Sequence, residues 1–170
     1  MLENLLNLIR AHAEDSIINN PAIPNERNEE AINTTSDSII NGLQNALASG
    51  NINDVMHMFN SSHNVTGSPV AQGIQNNLIE NLMHRFGLQN SQASGIAASI
   101  IPIVLKQLVH KTNDPNDNSF NIQGIFNQLS GGKTGGLDIG GLITQFTGRG
   151  QQQNSGGGIF DTLKGLFGGQ

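Results

Sequence analysis

Apolar side chains recur at intervals of three and four residues along almost the whole chain, and the two-residue alternation of a half-buried strand is absent. The first segment with this helical period starts at Leu2 and is expected to continue to Ile18, since Pro21 disfavours helix at the residue before it. A second helix is expected to begin near Asn25 and to end at Gly50, which suits a left-handed C-terminal cap. The pattern therefore predicts an all-α fold.

The clearest helical signal in the chain lies between Ser68 and Phe86. Ser68 is expected to cap the N-terminus of this helix, because its hydroxyl can accept a hydrogen bond from a backbone amide of the first turn. Pro69 suits the first helical position, where an N–H would have no helical partner. The apolar stripe recurs every four residues from Val70 onwards, and Gly87 is expected to end the helix.

Another helix is expected to follow at once, with Asn90 or Ser91 as its N-cap. Its inward face is expected to carry Ala93, Ala97, Ile100, Ile101, Val104, Leu105 and Leu108. Pro102 lies within this helix and is expected to kink it, because proline removes one backbone hydrogen bond. We expect the two helices to form an antiparallel hairpin at the centre of a compact multi-helix bundle.

A short pattern recurs three times, at residues 51–61, 121–131 and 138–148. Each copy opens with Asn or Asp as a capping residue followed by Ile; two apolar residues stand four and five positions after the cap, and Phe or Leu comes three later. The first two copies follow similar longer segments, residues 38–47 and 99–108. A unit of long helix, loop and short capped helix is therefore expected to occur twice, the alternative being chance recurrence in an asparagine-rich chain.

The composition changes from Gly131 onwards, where glycine separates short apolar clusters. The sequence indicates two short amphipathic helices in this tail, with a flexible linker rich in Gln and Gly at residues 151–158 between them. Isolated helices of about ten residues are not stable in water, so these helices need a surface to pack against. The chain is therefore divided into a helical core, residues 1–130, and a glycine-rich tail, residues 131–170.

Charge and composition argue against several classes of function. The net charge is −5 and the eight Lys and Arg residues are scattered singly, which argues against a nucleic-acid partner. The chain has no cysteine, so disulfides, thiolate metal sites and cysteine nucleophiles are excluded. Residues 1–10 lack a basic region followed by an apolar stretch, and the apolar run 96–105 is too short to cross a bilayer, so a cytoplasmic location is expected.

Several segments together resemble a known bacterial family. Residues 68–108 read SPVAQGIQNNLIENLMHRFGLQNSQASGIAASIIPIVLKQL, residues 114–132 read DPNDNSFNIQGIFNQLSGG, and GGLDIGGL follows in the tail. The Phe-Gly-Leu connection, the Ala-rich helix with Ile-Pro and the Asp-Pro-Asn loop resemble the YidB-like family, known as domain of unknown function 937, over residues 65–150. The resemblance implies an all-helical fold and assigns neither an activity nor catalytic residues.

Two stretches look like ligand sites, and each has a plainer interpretation. Residues 131–134 resemble the end of a phosphate-binding loop, but Asn127 stands where that loop requires glycine, so a solvated linker is preferred. Residues 114–118 alternate oxygen ligands as a calcium loop does. Ser119 and Ile125 stand where such a loop needs Gly and Glu, and an Asx-rich turn that caps the next helix is the preferred interpretation.

The remaining polar residues do not indicate catalysis. His57 and His63 lie six residues apart, with Asp54 as the nearest carboxylate, and this spacing is poor for a metal site. The chain has no Gly-x-Ser-x-Gly sequence that would indicate a serine nucleophile. We therefore predict that the protein is not an enzyme and has no catalytic residue, metal or cofactor.

The tail is the part of the sequence with functional content. Its apolar stripes predict a structural or interaction protein that associates with itself, into an oligomer or a polymer. The candidate contact residues are Leu142, Ile143, Phe146, Ile159, Phe160, Leu163, Leu166 and Phe167. As alternatives, both short helices cap the chain's own core, or residues 159–167 bind a membrane surface or a partner protein. A bundle that binds a small molecule near the Pro102 kink is a further alternative, with no ligand identifiable.

Overall fold

The computed structural model describes residues 2–60 and 65–120, together with Gly124, Ile125 and Leu129. Within these residues five α-helices follow one another: α1 (Leu2–His12), α2 (Asn28–Ala48), α3 (Ile52–Asn60), α4 (Pro69–Phe86) and α5 (Asn90–Asn113). A π-helical turn, Glu14–Ile18, and a 3₁₀ turn, Asn25–Arg27, lie between α1 and α2. These described ranges contain no strand, and the predicted all-α fold is confirmed.

The two ends of α4 follow the sequence prediction. The Ser68 hydroxyl accepts a hydrogen bond from the Ala71 amide at 3.1 Å, and Pro69 occupies the first helical position. At the other end Gly87 has a φ of +67°, and its amide donates to the Met83 carbonyl at 3.0 Å. Glycine is suited to this left-handed cap because it has no Cβ to clash with the backbone.

The end of α1 differs from the prediction of a helix that continues to Ile18. The α-helix stops at His12, and the next residues form the π-helical turn. In this turn the amide of Ile18 donates to the Ala13 carbonyl at 3.0 Å, five residues back. Ile17 of this turn is fully buried, and the hydrophobic period does not distinguish an α-helical from a π-helical hydrogen-bond pattern.

The N-cap of α5 is Gln89, so the expectation of Asn90 or Ser91 was wrong. The Gln92 Oε1 atom accepts a hydrogen bond from the Gln89 amide at 3.0 Å, which is one half of a capping box. The usual N-cap residues are Ser, Thr, Asp and Asn, and a glutamine at this position is therefore missed by a search for them. The helix is continuous through Pro102.

The core is built around α4, which packs along both α2 and α5. Three residues connect α4 to α5, so the two helices form the predicted hairpin. α1 lies against α2 and α5, whereas α3 contacts α2, α4 and α5. The largest fully buried side chains are Phe59, Ile9, Ile17, Ile23, Ile32, Ile39, Met56, Met58, Ile74, Leu78 and Leu82.

α2 is buried on more sides than its apolar stripe predicts. The sequence predicts an apolar face of Ile32, Ile39, Leu43, Ala46 and Leu47 for this helix. The first three are buried, whereas Ala46 and Leu47 are partly buried. Four polar residues of this helix are also at most 1% exposed, and all four carry hydroxyl groups: Thr34, Thr35, Ser36 and Ser38. The reason is the position of α2, which α1, α3 and α4 all contact.

Arg27 connects the start of α2 with the end of α4. Its guanidinium lies over the Phe86 ring, 4.1 Å from the ring centroid, and donates a hydrogen bond to the Arg85 carbonyl at 2.9 Å. The same guanidinium pairs with the Glu30 carboxylate at 2.9 Å. The Arg27 side chain therefore donates to a carbonyl in the last turn of α4 and holds that turn beside α2.

The first copy of the short repeated pattern is α3, which begins at Ile52 directly after Asn51. In the second copy, residues 121–131, the structure describes only Gly124, Ile125 and Leu129, and both apolar residues are buried. The third copy and the rest of the predicted glycine-rich tail lie outside the described residues.

Candidate interaction surface

α5 is a long apolar helix that the other described helices cover on one side. All seven residues predicted to face inward are buried. On the opposite side Gly95, Ala98, Ser99 and Ile103 are exposed, and their spacing places them on one helical stripe. Ile103 exposes 43% of its surface, whereas Ile101 is fully buried. We call the stripe formed by Gly95, Ala98, Ser99, Pro102 and Ile103 the α5 outer face.

The α5 outer face carries no charged residue. No charged residue occurs in α5 before Lys106, which lies on the C-terminal side of Ile103. A Cβ added at Gly95 would meet no atom within 4 Å, so the space above this position is open. Pro102 has no N–H, and the exposed Ala98 residue therefore presents a carbonyl that lacks its usual helical donor. The face thus offers apolar contact area and one backbone acceptor.

The exposure of Ile103 does not follow from its angle around α5. At about 100° per residue, Ile103 lies about 60° from Ile100 and about 20° from Ile96, and both of these residues are buried. Ile103 is not among the residues that the sequence predicted to face inward. The prediction concentrated on what α5 buries. Ile103 is the large apolar residue that α5 leaves exposed, and Gly95, Ala98 and Pro102 extend the uncharged surface beside it. Contiguous apolar patches, rather than single exposed residues, mark contact surfaces.

By length and composition, α5 is also a helix that could cross a bilayer. An 18-residue window within Asn90–Asn113 has a mean hydropathy of 1.4, and half of that window is buried within the structure. The apolar run 96–105 alone is too short to cross a bilayer. The longer window qualifies because the small neutral residues on either side of this run lower its mean hydropathy only slightly. A mostly buried core helix passes the same test, so this property alone is weak evidence for a membrane role.

A cleft of about 250 Å³ lies between the C-terminal end of α2 and the first turns of α3 and α4. Asp54 is the one charged residue among the described residues that line it. The lining residue Asn77 is held in place, since its Oδ1 atom accepts a hydrogen bond from Asn81 at 2.8 Å and Asn81 also donates to the Ser38 hydroxyl at 3.0 Å. The lining consists of Gly42, Asn45, Ala46, Ser49, Asn51, Asp54, Pro69, Val70, Gly73 and Asn77.

This cleft has few features of a ligand site. Its volume is just below the range of about 300–1,000 Å³ that is usual for small-molecule pockets. Among the described residues, its lining includes no aromatic side chain and no basic residue. The cleft lies between α2, α3 and α4, whereas the sequence placed the alternative of a ligand pocket near Pro102 of α5. The lining therefore suggests no class of ligand.

The loop at residues 114–118 forms a turn in which donors from the loop and from residues next to it bind both Asp carboxylates. The Asp114 carboxylate accepts a hydrogen bond from the Asn116 amide at 2.9 Å. The Asp117 carboxylate pairs with Lys111 at 2.7 Å and also accepts hydrogen bonds from the amide and hydroxyl of Ser119. The Lys111 ammonium, followed by these Ser119 donors, holds the pKa of Asp117 well below its usual range. This geometry agrees with the Asx-rich turn that was preferred over a calcium loop.

The other predicted candidates do not come together in the described part of the chain. His57 is exposed on α3, and His63 lies outside the described residues. No group of three or more His, Cys, Asp or Glu side chains that could hold a metal occurs among the described residues. Residues 131–134 also lie outside them, as do all the predicted contact residues: Leu142, Ile143, Phe146, Ile159, Phe160, Leu163, Leu166 and Phe167.

Comparison with known proteins gives one match. The family described as "Bacterial protein of unknown function (DUF937)" matches residues 68–170. No curated protein and no solved structure matches the chain. The matched range starts at the N-cap of α4 and includes both the α5 outer face and all of the predicted contact residues.

Proposed function

Because the chain belongs to the bacterial DUF937 family, the YidB-like family of unknown function, we propose a function from the residues of the chain itself. The protein is a non-enzymatic interaction protein of the cytoplasm that associates with itself, into an oligomer or a polymer. The association runs through apolar helices of the core and of the glycine-rich tail.

The observation that carries this proposal is the burial of equivalent positions in the repeated short helix. In the first copy the positions four and eight residues after the cap are Val55 and Phe59, and both are fully buried. In the second copy the same positions are Ile125 and Leu129, which are also buried, at 2% and 7% exposure. The repeated pattern therefore corresponds to a repeated requirement for a packing surface.

The third copy places two predicted contact residues at these same positions. Leu142 and Phe146 stand four and eight residues after Asp138, as Val55 and Phe59 do after Asn51. A helix of about ten residues with such a stripe needs a partner surface in order to fold. The pattern thus supports docking of residues 138–148 on another helical surface.

The order of long helices and short segments along the chain favours a docking surface on another copy. The first short helix follows α2, and the second follows α5. The third short segment follows the second directly, through the glycine-rich residues 130–137, with no long helix of its own in between. Within this repeat the third short segment thus has no long helix of its own, and a neighbouring copy can supply the missing packing surface.

Light scattering coupled to size-exclusion chromatography tests the proposal. The full-length chain is expected to show a mass above 18.1 kDa that rises with concentration, whereas a chain of residues 1–130 is expected to be monomeric. A full-length chain with Leu142→Asp and Phe146→Asp is the matched control, because it keeps the length of the tail and removes its apolar stripe. If the full-length chain stays monomeric over a hundredfold range of concentration, the proposal is wrong.

A further inference from the structure

Self-association requires a surface on the neighbouring copy that accepts the tail. Resting on the proposed function, we propose that the α5 outer face of one copy binds residues 138–148 of a second copy. Leu142, Ile143 and Phe146 of that segment then pack over Gly95, Ala98 and Ile103.

The chemistry of the two surfaces matches. The α5 outer face is uncharged, and between Asp138 and Gly148 the segment carries no charge after its first residue. The small residues Gly95, Ala98 and Ser99 permit a close approach of another helix, while Ile103 supplies an apolar contact at the end of the stripe. Burying Ile103 in this way removes from water a side chain that is 43% exposed.

The molecule already contains a contact of the same kind. α3, the first copy of the short pattern, packs against α5, and its Phe59 is fully buried. Asn113 of α5 donates a hydrogen bond to the Phe59 carbonyl at 2.7 Å, which ties the end of the short helix to α5. α5 therefore accepts a short helix of this pattern on its inner side, and the α5 outer face offers a second helical surface of small and apolar residues.

The described chain ends close to the segment that docks. Leu129 is buried, so the core extends at least to this residue, and eight residues separate it from Asp138. Eight residues span at most about 28 Å when extended, which leaves the segment close to the surface of its own copy, where a neighbour can meet it. Because the segment and the α5 outer face are different surfaces, the contact is head-to-tail and each bound copy offers a free face to the next.

Complementary variants test this arrangement in the full-length protein. Ile103→Glu places a charge in the α5 outer face, and we expect the association constant to fall at least about tenfold. Ile18→Glu is the matched control, since Ile18 is exposed to a similar extent, 39%, but lies in the π-helical turn after α1. This control is expected to associate like the unchanged protein, and circular dichroism checks that both variants keep their helical content.

Mixing experiments decide between head-to-tail and other contacts. The Ile103→Glu variant keeps its tail, and the Leu142→Asp, Phe146→Asp variant keeps its α5 outer face. At a concentration where each variant alone is monomeric, an equimolar mixture is expected to form a 1:1 dimer that grows no further, as measured by sedimentation velocity. An Ile103→Glu variant that assembles normally, or a mixture that stays monomeric while the unchanged protein assembles, overturns this inference and leaves the proposed self-association standing. A monomeric unchanged protein refutes both.

Discussion

Thr34 and Thr35 are adjacent buried threonines whose hydroxyl groups have opposite hydrogen-bonding states. The Thr35 hydroxyl donates to the Ala31 carbonyl at 2.8 Å, one turn back along α2. The Thr34 hydroxyl has no hydrogen-bond partner among the described residues, although the residue is only 1% exposed. A buried hydroxyl without a partner costs stability, because folding removes its hydrogen bonds to water without replacing them.

Replacing each threonine with valine is therefore expected to change stability in opposite directions. Thr34→Val removes an unpaired polar group at constant shape, and we expect it to raise the free energy of unfolding by about 1 kcal/mol. Thr35→Val removes a hydrogen bond and is expected to lower the free energy of unfolding by about 1 kcal/mol. Both residues are β-branched, so helix propensity hardly changes. Urea denaturation measures both values, and a loss of stability in Thr34→Val would contradict the assignment.

Asp117 should make part of the stability dependent on pH. Its pKa is depressed from an ordinary value of 3.8, chiefly by Lys111 and then by Ser119. A depressed carboxylate pKa stabilises the fold at pH values above the ordinary pKa, and this contribution disappears as the pH falls through the pKa of the folded state. We therefore expect Asp117→Asn to have a lower melting temperature than the unchanged protein at pH 7. The difference between the two melting temperatures should narrow as the pH falls below the ordinary pKa of 3.8.

The Lys111–Asp117 pair provides the control for this pH effect. Lys111→Met should lower the melting temperature at pH 7 in the unchanged background and should have much less effect in the Asp117→Asn background. If the two substitutions lower the melting temperature independently of each other, the ion pair is not the cause of the pH dependence.

At the scale of the helices, the sequence predicted the elements better than their ends. α4 was predicted at both ends, because Ser68, Pro69 and Gly87 each have a local geometric reason to stand where they do. The π-helical turn after α1 and the Gln89 cap of α5 were not predicted, because neither uses a residue type that is specific to its structure. The burial of four hydroxyl-bearing residues in α2 depends on which helices surround it, and tertiary packing of this kind is not encoded in the period of one helix.

A close approach of α2 and α4 at Gly42 leads to a prediction about packing. A Cβ added at Gly42 would collide with the Ile74 side chain and would lie 3.2 Å from the Ile74 Cα atom, which belongs to the backbone of α4 and cannot rotate away. Forcing the two helices apart costs about 1–3 kcal/mol, which outweighs the gain of about 1 kcal/mol from replacing glycine by alanine in a helix. Gly42→Ala is therefore expected to lower the free energy of unfolding.

Gly73→Ala is the matched control for this packing effect. Gly73 also lies within a helix, and a Cβ added there would meet nothing within 4 Å. The same substitution should therefore raise the free energy of unfolding by about 0.5–1 kcal/mol. If both substitutions stabilise the protein in urea denaturation, α2 and α4 are not in close contact at Gly42.

For the whole molecule, the sequence predicted the all-helical fold class and the family. Family membership rests on residues 68–170, and the resemblance seen in 65–150 is thereby confirmed. The predicted contact residues of the tail stay a prediction, since they lie outside the described residues. The α5 outer face came from the structure, because exposure of Ile103 depends on how α1, α3 and α4 share the other side of α5.

The charge of the molecule leads to a prediction about salt that separates apolar from ionic association. The α5 outer face is uncharged, and the chain as a whole carries a net charge of −5, so copies repel one another weakly at long range. Sodium chloride screens this repulsion over a distance of about 10 Å at 0.1 M and leaves apolar contacts intact. The association constant from sedimentation velocity is therefore expected to stay constant or rise as sodium chloride increases, and to rise further in ammonium sulfate. Dissociation at higher sodium chloride would instead indicate that ion pairs, such as those available to Lys106 beside the α5 outer face, hold the copies together.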